Sequence, residues 1–368
     1  MVKPSTRNES LDVLRCIAVL LVLGFHFPYY GLWGRLGWIG VDLFFVLSGF
    51  LISGLLFQEF KATQAIRIKR FLIRRGLKIY PSFYLLMILA TCLYLLNHDA
   101  YVSRKQLIGS FFFVQNYFRE DMFMLLGHTW SLAVEEHFYL LLPVLLLLLI
   151  AVRGKSDPFR VLPALFVCVA VVCFAFRWFT SAPGELVLKT HERVDGLFAG
   201  VALSYLYHFR RSLFQRFTGH YALAVAVLLC LPAAFLDARS RAMQTLGFTG
   251  LVVGFTFLVA WSVVRTPVNS VGRALTKVAA RIGFYSYSIY LWHTTFLLAF
   301  LSRPGPQVLY FWIYIACCVL GGIAMAHLIE LPYLAMRERW FPASSAAPLP
   351  AAAPAERASL PSVSVGPA

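Results

Sequence analysis

Long apolar runs separated by short basic or polar segments make up most of this chain. A stretch such as FYLLLPVLLLLLIAV (Phe138 to Val152) carries no charged residue on any face. It fits neither the alternation of a half-buried strand nor the one-sided stripe of a soluble helix. A bilayer span needs about 20 mostly apolar residues, and ten segments meet that rule: 11–29, 38–58, 80–97, 130–152, 160–179, 194–209, 219–236, 244–264, 283–301 and 308–334. The pattern predicts an all-α, polytopic membrane helix bundle with about ten transmembrane helices. The stretch Leu107 to Phe118 is short for a span and reads as a re-entrant or interfacial piece between the third and fourth. From residue 343 onward the Ala/Pro/Ser-rich sequence ASSAAPLPAAAPAERASLPSVSVGPA cannot build a core. The expected organisation is therefore one membrane domain over 1–342 and a disordered cytoplasmic tail over 343–368.

Composition agrees with that class. Hydrophobic residues make up 60% and charged residues 14%, too little polar material to coat a water-facing surface. The net charge of +16 does not point to nucleic acid, because the basic residues sit in short segments between apolar runs. Counted over alternate segments, 22 Lys and Arg fall on one side and 10 on the other, with Arg15 inside the first span. The positive-inside rule then places both termini in the cytoplasm. The seven cysteines all lie in apolar runs and form no C-x-x-C pair, so neither a zinc site nor a disulfide framework is indicated. The first apolar run lacks the small-residue cleavage site of a secretory signal, and no internal repeat suggests the inverted halves of a transporter.

Against this background the ionisable residues within spans stand out, since each is costly in lipid unless it faces a cavity or a partner. Arg15 and His26 are eleven residues apart, close to three helical turns, so they share a face about 16 Å apart along the axis. Asp42 lies near the outer end of the second span and is a candidate partner for His26. Ser48 and Gly49 read as a close-packing notch. Arg70, Arg74, Arg75 and Lys78 gather just before the third span, where they serve as an inner anchor and offer phosphate-binding forks. Glu135 and Glu136 are adjacent, hence about 100° apart on a helix, so only one of them can face a given pocket. Arg193 and Asp195 lie in HERVDGLFAG, His293 in FYSYSIYLWHTTF, and Glu330 in IELPY.

These motifs, in this order, resemble the acyltransferase-3 family of bacterial integral membrane acyltransferases, over residues 8 to about 338. LRCIAVLLVLGFH is similar to the family's Arg-x10-His first helix, and GVDLFFVLSGFLIS to its second-helix signature. RRGLKIYPSFY resembles the basic stretch that leads the third helix. TWSLAVEEHFYL resembles the Trp-Ser-Leu-x-x-Glu motif, and YSYSIYLWH the late Ser-Tyr-x-x-Tyr-Leu-x-His element. Two positions depart from the pattern. His137 stands where a glutamine is usual, which bears on acceptor choice, and HTTF lacks a proline common after the late histidine.

The resemblance implies a multi-pass protein of the bacterial inner membrane. It would transfer an acyl group, commonly acetyl, from cytoplasmic acyl-CoA to a carbohydrate or glycosylated acceptor, without a bound cofactor or metal. Without a fused hydrolase-like domain the chain is expected to resemble the stand-alone members. An alcohol must lose its proton as it attacks a thioester, and imidazole is suited to that base role near neutral pH. His26 and Glu135 are the expected catalytic pair, with Asp42 the alternative carboxylate partner. Arg15, Arg70, Arg74 and Arg75 are expected along the acyl-donor path. Asp42, Glu136, Arg193, Asp195 and His293 are expected in support or on the acceptor side. A glycerolipid-type acyltransferase would need His-x4-Asp, and His191 and Asp195 are one residue short of it. The rival reading is a transporter or flippase of a polar or glycan substrate, because intramembrane charges also mark substrate pathways.

Overall fold

The computed structural model describes residues 8–27, 31–97, 102–118, 124–154, 156–179, 185–265, 270–300 and 306–342. All regular structure among them is helical. The expected tail over 343–368 and positions 28–29 of the first expected span lie outside the described residues.

Helix α1 (Glu9–His26) begins where Asn8 caps it. The Asn8 Oδ1 accepts hydrogen bonds from the amides of Ser10 at 3.0 Å and Leu11 at 3.4 Å, satisfying donors that a first turn leaves orphaned. Glu9 and Asp12 in that turn complement the positive end of the helix dipole. Helix α2 (Gly40–Thr63) stops at Gln64, whose φ of 54° is left-handed and whose N–H returns to the Phe60 carbonyl at 2.8 Å. Helices α3 (Ile68–Asn97) and α5 (Trp130–Arg153) contain Pro81 and Pro143, which packed membrane helices tolerate. Between them, the piece expected to be re-entrant or interfacial forms α4 (Arg104–Phe111) and a 3-10 turn over Gln115–Tyr117. The chain continues through α6 (Leu162–Phe179), α7 (Thr190–Arg193), α8 (Asp195–Phe209), α9 (His220–Cys230) and α10 (Phe248–Val263). It ends with α11 (Ser270–Phe284), α12 (Ser286–Leu298), α13 (Gln307–Met325) and α14 (Leu331–Trp340).

Six helical stretches among the described residues are long and apolar enough to cross a membrane: Leu32–Thr63, Ile68–Leu96, Leu125–Arg153, Leu162–Phe179, Met243–Val263 and Gln307–Trp340. This is a membrane protein. The other four expected segments fall short of that measure for identifiable reasons. Helix α1 holds Glu9, Asp12 and Arg15 within 18 residues. Helix α8 has only 15 residues, and His220–Phe235 is a shorter apolar helix. Segment 283–301 is cut at Tyr285, where α11 stops and α12 begins.

Packing puts α2 at the centre. Its most apolar window is 72% buried, against 17% for α6 at the rim. Lipid tails are as apolar as leucine, so membrane helices are held by close packing and polar contacts. Glycines supply the closest approaches here. A Cβ on Gly49 would stand 1.9 Å from the Leu197 carbonyl oxygen, and one on Gly200 would stand 2.2 Å from that of Val46. Gly49 therefore is the expected notch, whereas its neighbour Ser48 turns to Glu135. On the far side of α1, a Cβ on Gly283 would meet the Asp12 carbonyl oxygen at 1.8 Å. Both apolar clusters draw on α1 and α2: Val19, Val22 and Phe45 enter one, while Leu11, Leu14 and Phe50 enter the other. That shared pair positions the site.

Candidate active site

A cavity of about 90 Å³ opens between α1, α2, α3, α5 and the break between α11 and α12. Its polar wall holds three cations, Arg15, Arg75 and Lys78, and one carboxylate, Glu135. Arg15 Nη1 donates to Asp12 Oδ1 at 2.9 Å one helical turn below. Glu135 accepts from Ser48 Oγ at 2.8 Å and from Tyr139 Oη at 2.7 Å. The Arg75 guanidinium lies over the Tyr139 ring at 5.4 Å, a cation–π contact that holds it at the cavity wall. Of the adjacent pair, Glu136 points elsewhere, as the 100° rotation requires; it accepts from Tyr80 Oη at 3.0 Å.

Tyr290 closes one end of this cavity. Its hydroxyl donates to the His128 carbonyl oxygen at 2.6 Å. A phenol has one proton to give, so the 2.6 Å contact with Ser131 is donated by Ser131 Oγ. Beyond it stand three imidazoles. The His293 ring lies 4.7 Å from both His26 and His128, centroid to centroid, and His26 and His128 are 6.5 Å apart. Each ring is held by a backbone carbonyl. His26 Nδ1 is 2.9 Å from the Val22 oxygen, His128 Nε2 is 3.1 Å from the Leu291 oxygen, and His293 Nδ1 is 2.5 Å from the Tyr290 oxygen. A carbonyl only accepts, so His26 and His293 each carry their proton on Nδ1 and their lone pair on Nε2. His293 Nε2 is buried with no hydrogen-bond partner among the described residues. The cluster is not a metal-ligand set, since no group of three His, Cys, Asp or Glu converges as donors among the described residues.

The remaining expected residues are dispersed. Asp42 does not partner His26: its Oδ1 takes Arg193 Nη2 at 2.8 Å with both side chains nearly fully buried. Arg193 also stacks on Phe248 at 4.1 Å, so attraction and burial both favour this pairing over the imidazole. Asp195 pairs with Arg177 at 2.8 Å, and fully buried Arg177 reaches the Glu192 carbonyl oxygen at 2.7 Å as well. These two ion pairs tie α6, α7 and α8 to α2. Glu135 also makes no contact with His26; carbonyl oxygens orient the imidazoles instead. Arg74 leaves its neighbour Arg75 at the cavity and binds Glu338 at 2.8 Å and the Phe341 carbonyl oxygen. Arg70 is half-buried and does not line the cavity. His137, at the departure from the family pattern, is 2.7 Å from Thr190 Oγ1. His128, Tyr139 and Tyr290 are site residues that were not singled out in the sequence, and Lys78 was noted there only as part of the basic cluster before the third span. His128 was visible only as the residue that precedes the TWSLAVEEHFYL stretch.

Among known proteins, the family described as Acyltransferase domain matches residues 8–327. The chain belongs to the acyltransferase-3 family. It is 30% identical over 314 residues to "Peptidoglycan O-acetyltransferase OatA" of Listeria monocytogenes, covering 77% of this chain and 48% of that protein. It is 29% identical over 351 residues to "Putative peptidoglycan O-acetyltransferase YrhL" of Bacillus subtilis, covering 88% and 54%. A "Putative O-acetyltransferase" of Staphylococcus aureus strain COL is 30% identical over 349 residues, covering 88% and 57%. The chain thus spans about half the length of the curated relatives it matches. No solved structure matches it.

Proposed function

We propose that this chain is an O-acyltransferase of the bacterial inner membrane, moving a short acyl group, acetyl in the first instance, from cytoplasmic acyl-CoA to a hydroxyl of a carbohydrate acceptor. The names of its relatives support the reaction class, and OatA's name supports a glycan acceptor. The bundle is read as about ten spans with both termini cytoplasmic, the shorter helices α1, α8, α9 and α12 crossing alongside the six longer ones.

The observation that carries the proposal is the tautomer of His26. Its Nδ1–H is tied to the Val22 carbonyl oxygen at 2.9 Å, which leaves Nε2 as a base next to the His293 ring. In the reaction, the acceptor oxygen attacks the thioester carbonyl carbon as its proton passes to His26 Nε2. The C–S bond then breaks and that proton goes to the departing CoA thiolate. Arg15, Arg75 and Lys78 supply positive charge for the donor's phosphate-rich end.

Membranes with matched expression, assayed for transfer from labelled acetyl-CoA, test this. His26→Ala and His26→Gln should each lose about 10²–10⁴-fold, because an amide fills the space but takes no proton at neutral pH. His26→Gln with near-normal turnover would remove His26 from the chemistry. Accumulation of labelled substrate across vesicles without covalent transfer would favour a flippase instead.

A further inference from the structure

Helix α11 has three different faces. At about 100° per residue, Gly272, Thr276, Ala280 and Gly283 form one seam of small residues. That seam meets α1, where Gly283 rests on the Asp12 main chain. About a third of a turn to one side lie Val271, Leu275 and Val278, which are 67%, 66% and 62% exposed. About a third of a turn to the other side lie Arg273, Lys277 and Arg281, all exposed. These three cations have spacings of four residues, so they stack on consecutive turns. None of them forms an ion pair or hydrogen bond with a described residue, unlike Arg15, Arg177 or Arg193. The end of α10, which precedes α11 in the chain, meets the first turn of α1: Asn8 Nδ2 donates to the Val263 carbonyl oxygen at 3.0 Å and Ser10 Oγ to that of Arg265 at 2.9 Å.

We propose that this outer surface of α11 is a binding site for anionic phospholipid. An apolar stripe beside a basic stripe is the form of a helix that lies at the boundary between acyl chains and headgroups. The apolar stripe takes the acyl chains, and the cations take the phosphate oxygens by charge-assisted hydrogen bonds. Charge complementarity selects an anionic headgroup over a zwitterionic one, since three unpaired cations on one stripe have no acid beside them. The site also has a route to the cavity. Gly283 sits against Asp12, Asp12 holds Arg15, and the next residues, Phe284 and Ser286, line the cavity wall. A lipid that braces α11 against α1 therefore steadies Arg15.

The test is lipid retention by the full chain, purified in detergent and titrated with phosphatidylglycerol or phosphatidylcholine under native mass spectrometry. Wild type should retain phosphatidylglycerol preferentially, and the preference should collapse as salt rises, a measurement that needs no variant. R273Q/K277Q/R281Q should lose the preference by roughly tenfold or more, since each cation beside an anionic surface strengthens attachment several-fold. R273K/R281K, which keeps the charges, should retain most of it. Equal retention of the two lipids by wild type, or an unchanged preference in the triple Gln variant, would overturn the site. So would displacement of the lipid by free CoA, which would give these cations to the donor. The readout is lipid binding alone, so it stands or fails separately from the acyl-transfer reading.

Discussion

Glu135→Gln isolates what a carboxylate does in a cavity lined by Arg15, Arg75 and Lys78. The glutamate accepts two hydrogen bonds on different oxygens, from Ser48 at 2.8 Å and from Tyr139 at 2.7 Å. A glutamine can keep both contacts. Its amide oxygen faces Tyr139, and its NH₂ faces Ser48, whose hydroxyl turns to accept. What goes is the charge. Two charge-assisted bonds at about 1.5–3 kcal/mol each become neutral ones at about 0.5–1.5 kcal/mol, and the cavity gains one uncompensated positive charge. The net loss is about 2–3 kcal/mol, or roughly 30–150-fold in kcat/KM if the geometry it holds is needed in the transition state. Glu135→Ala should lose more, because it orphans the buried Tyr139 hydroxyl and the half-buried Ser48 hydroxyl as well. The assay is acetyl transfer from labelled acetyl-CoA by purified protein, with a double-mutant cycle against Tyr139→Phe to measure the coupling. A Gln variant at wild-type kcat/KM, or zero coupling to Tyr139, would refute the role given to this carboxylate.

Gly283→Ala drives a methyl into the Asp12 carbonyl, 1.8 Å away. Overpacking of this kind costs about 1–3 kcal/mol, and the expected result is a raised donor KM through displaced Arg15 together with a lower melting temperature in detergent. Asp42→Ala leaves Arg193 buried without its partner, a loss of about 3–5 kcal/mol, so it should depress folded yield on size-exclusion chromatography. Asp42→Asn with Arg193→Met should recover part of that yield. For topology, reporter fusions at Ala355 and near Arg104 should report opposite sides of the membrane; a common side for both would break the ten-span reading.

Much of this protein is determined locally and was legible in one dimension. The solvent for each segment is set by its own composition, so the membrane class and the helical character follow from runs such as Phe138–Val152. The 3.6-residue period likewise puts Arg15 and His26 on one helix with a common face, and it sends Glu135 and Glu136 in different directions; both are found. The partners of those groups were not legible, because a partner is a matter of three-dimensional distance and competition. Asp42 is drawn to Arg193, 151 residues away in the chain, because a buried carboxylate gains more from a guanidinium than from a neutral ring. Adjacent Arg74 and Arg75 part company because helix rotation turns one towards Glu338 and the other over Tyr139. The three-imidazole cluster draws on α1, α12 and the turn before α5, and only the packing of those elements brings the His293 ring within 4.7 Å of the other two. Periodicity tells each helix which face is polar, but the fold chooses which polar faces meet.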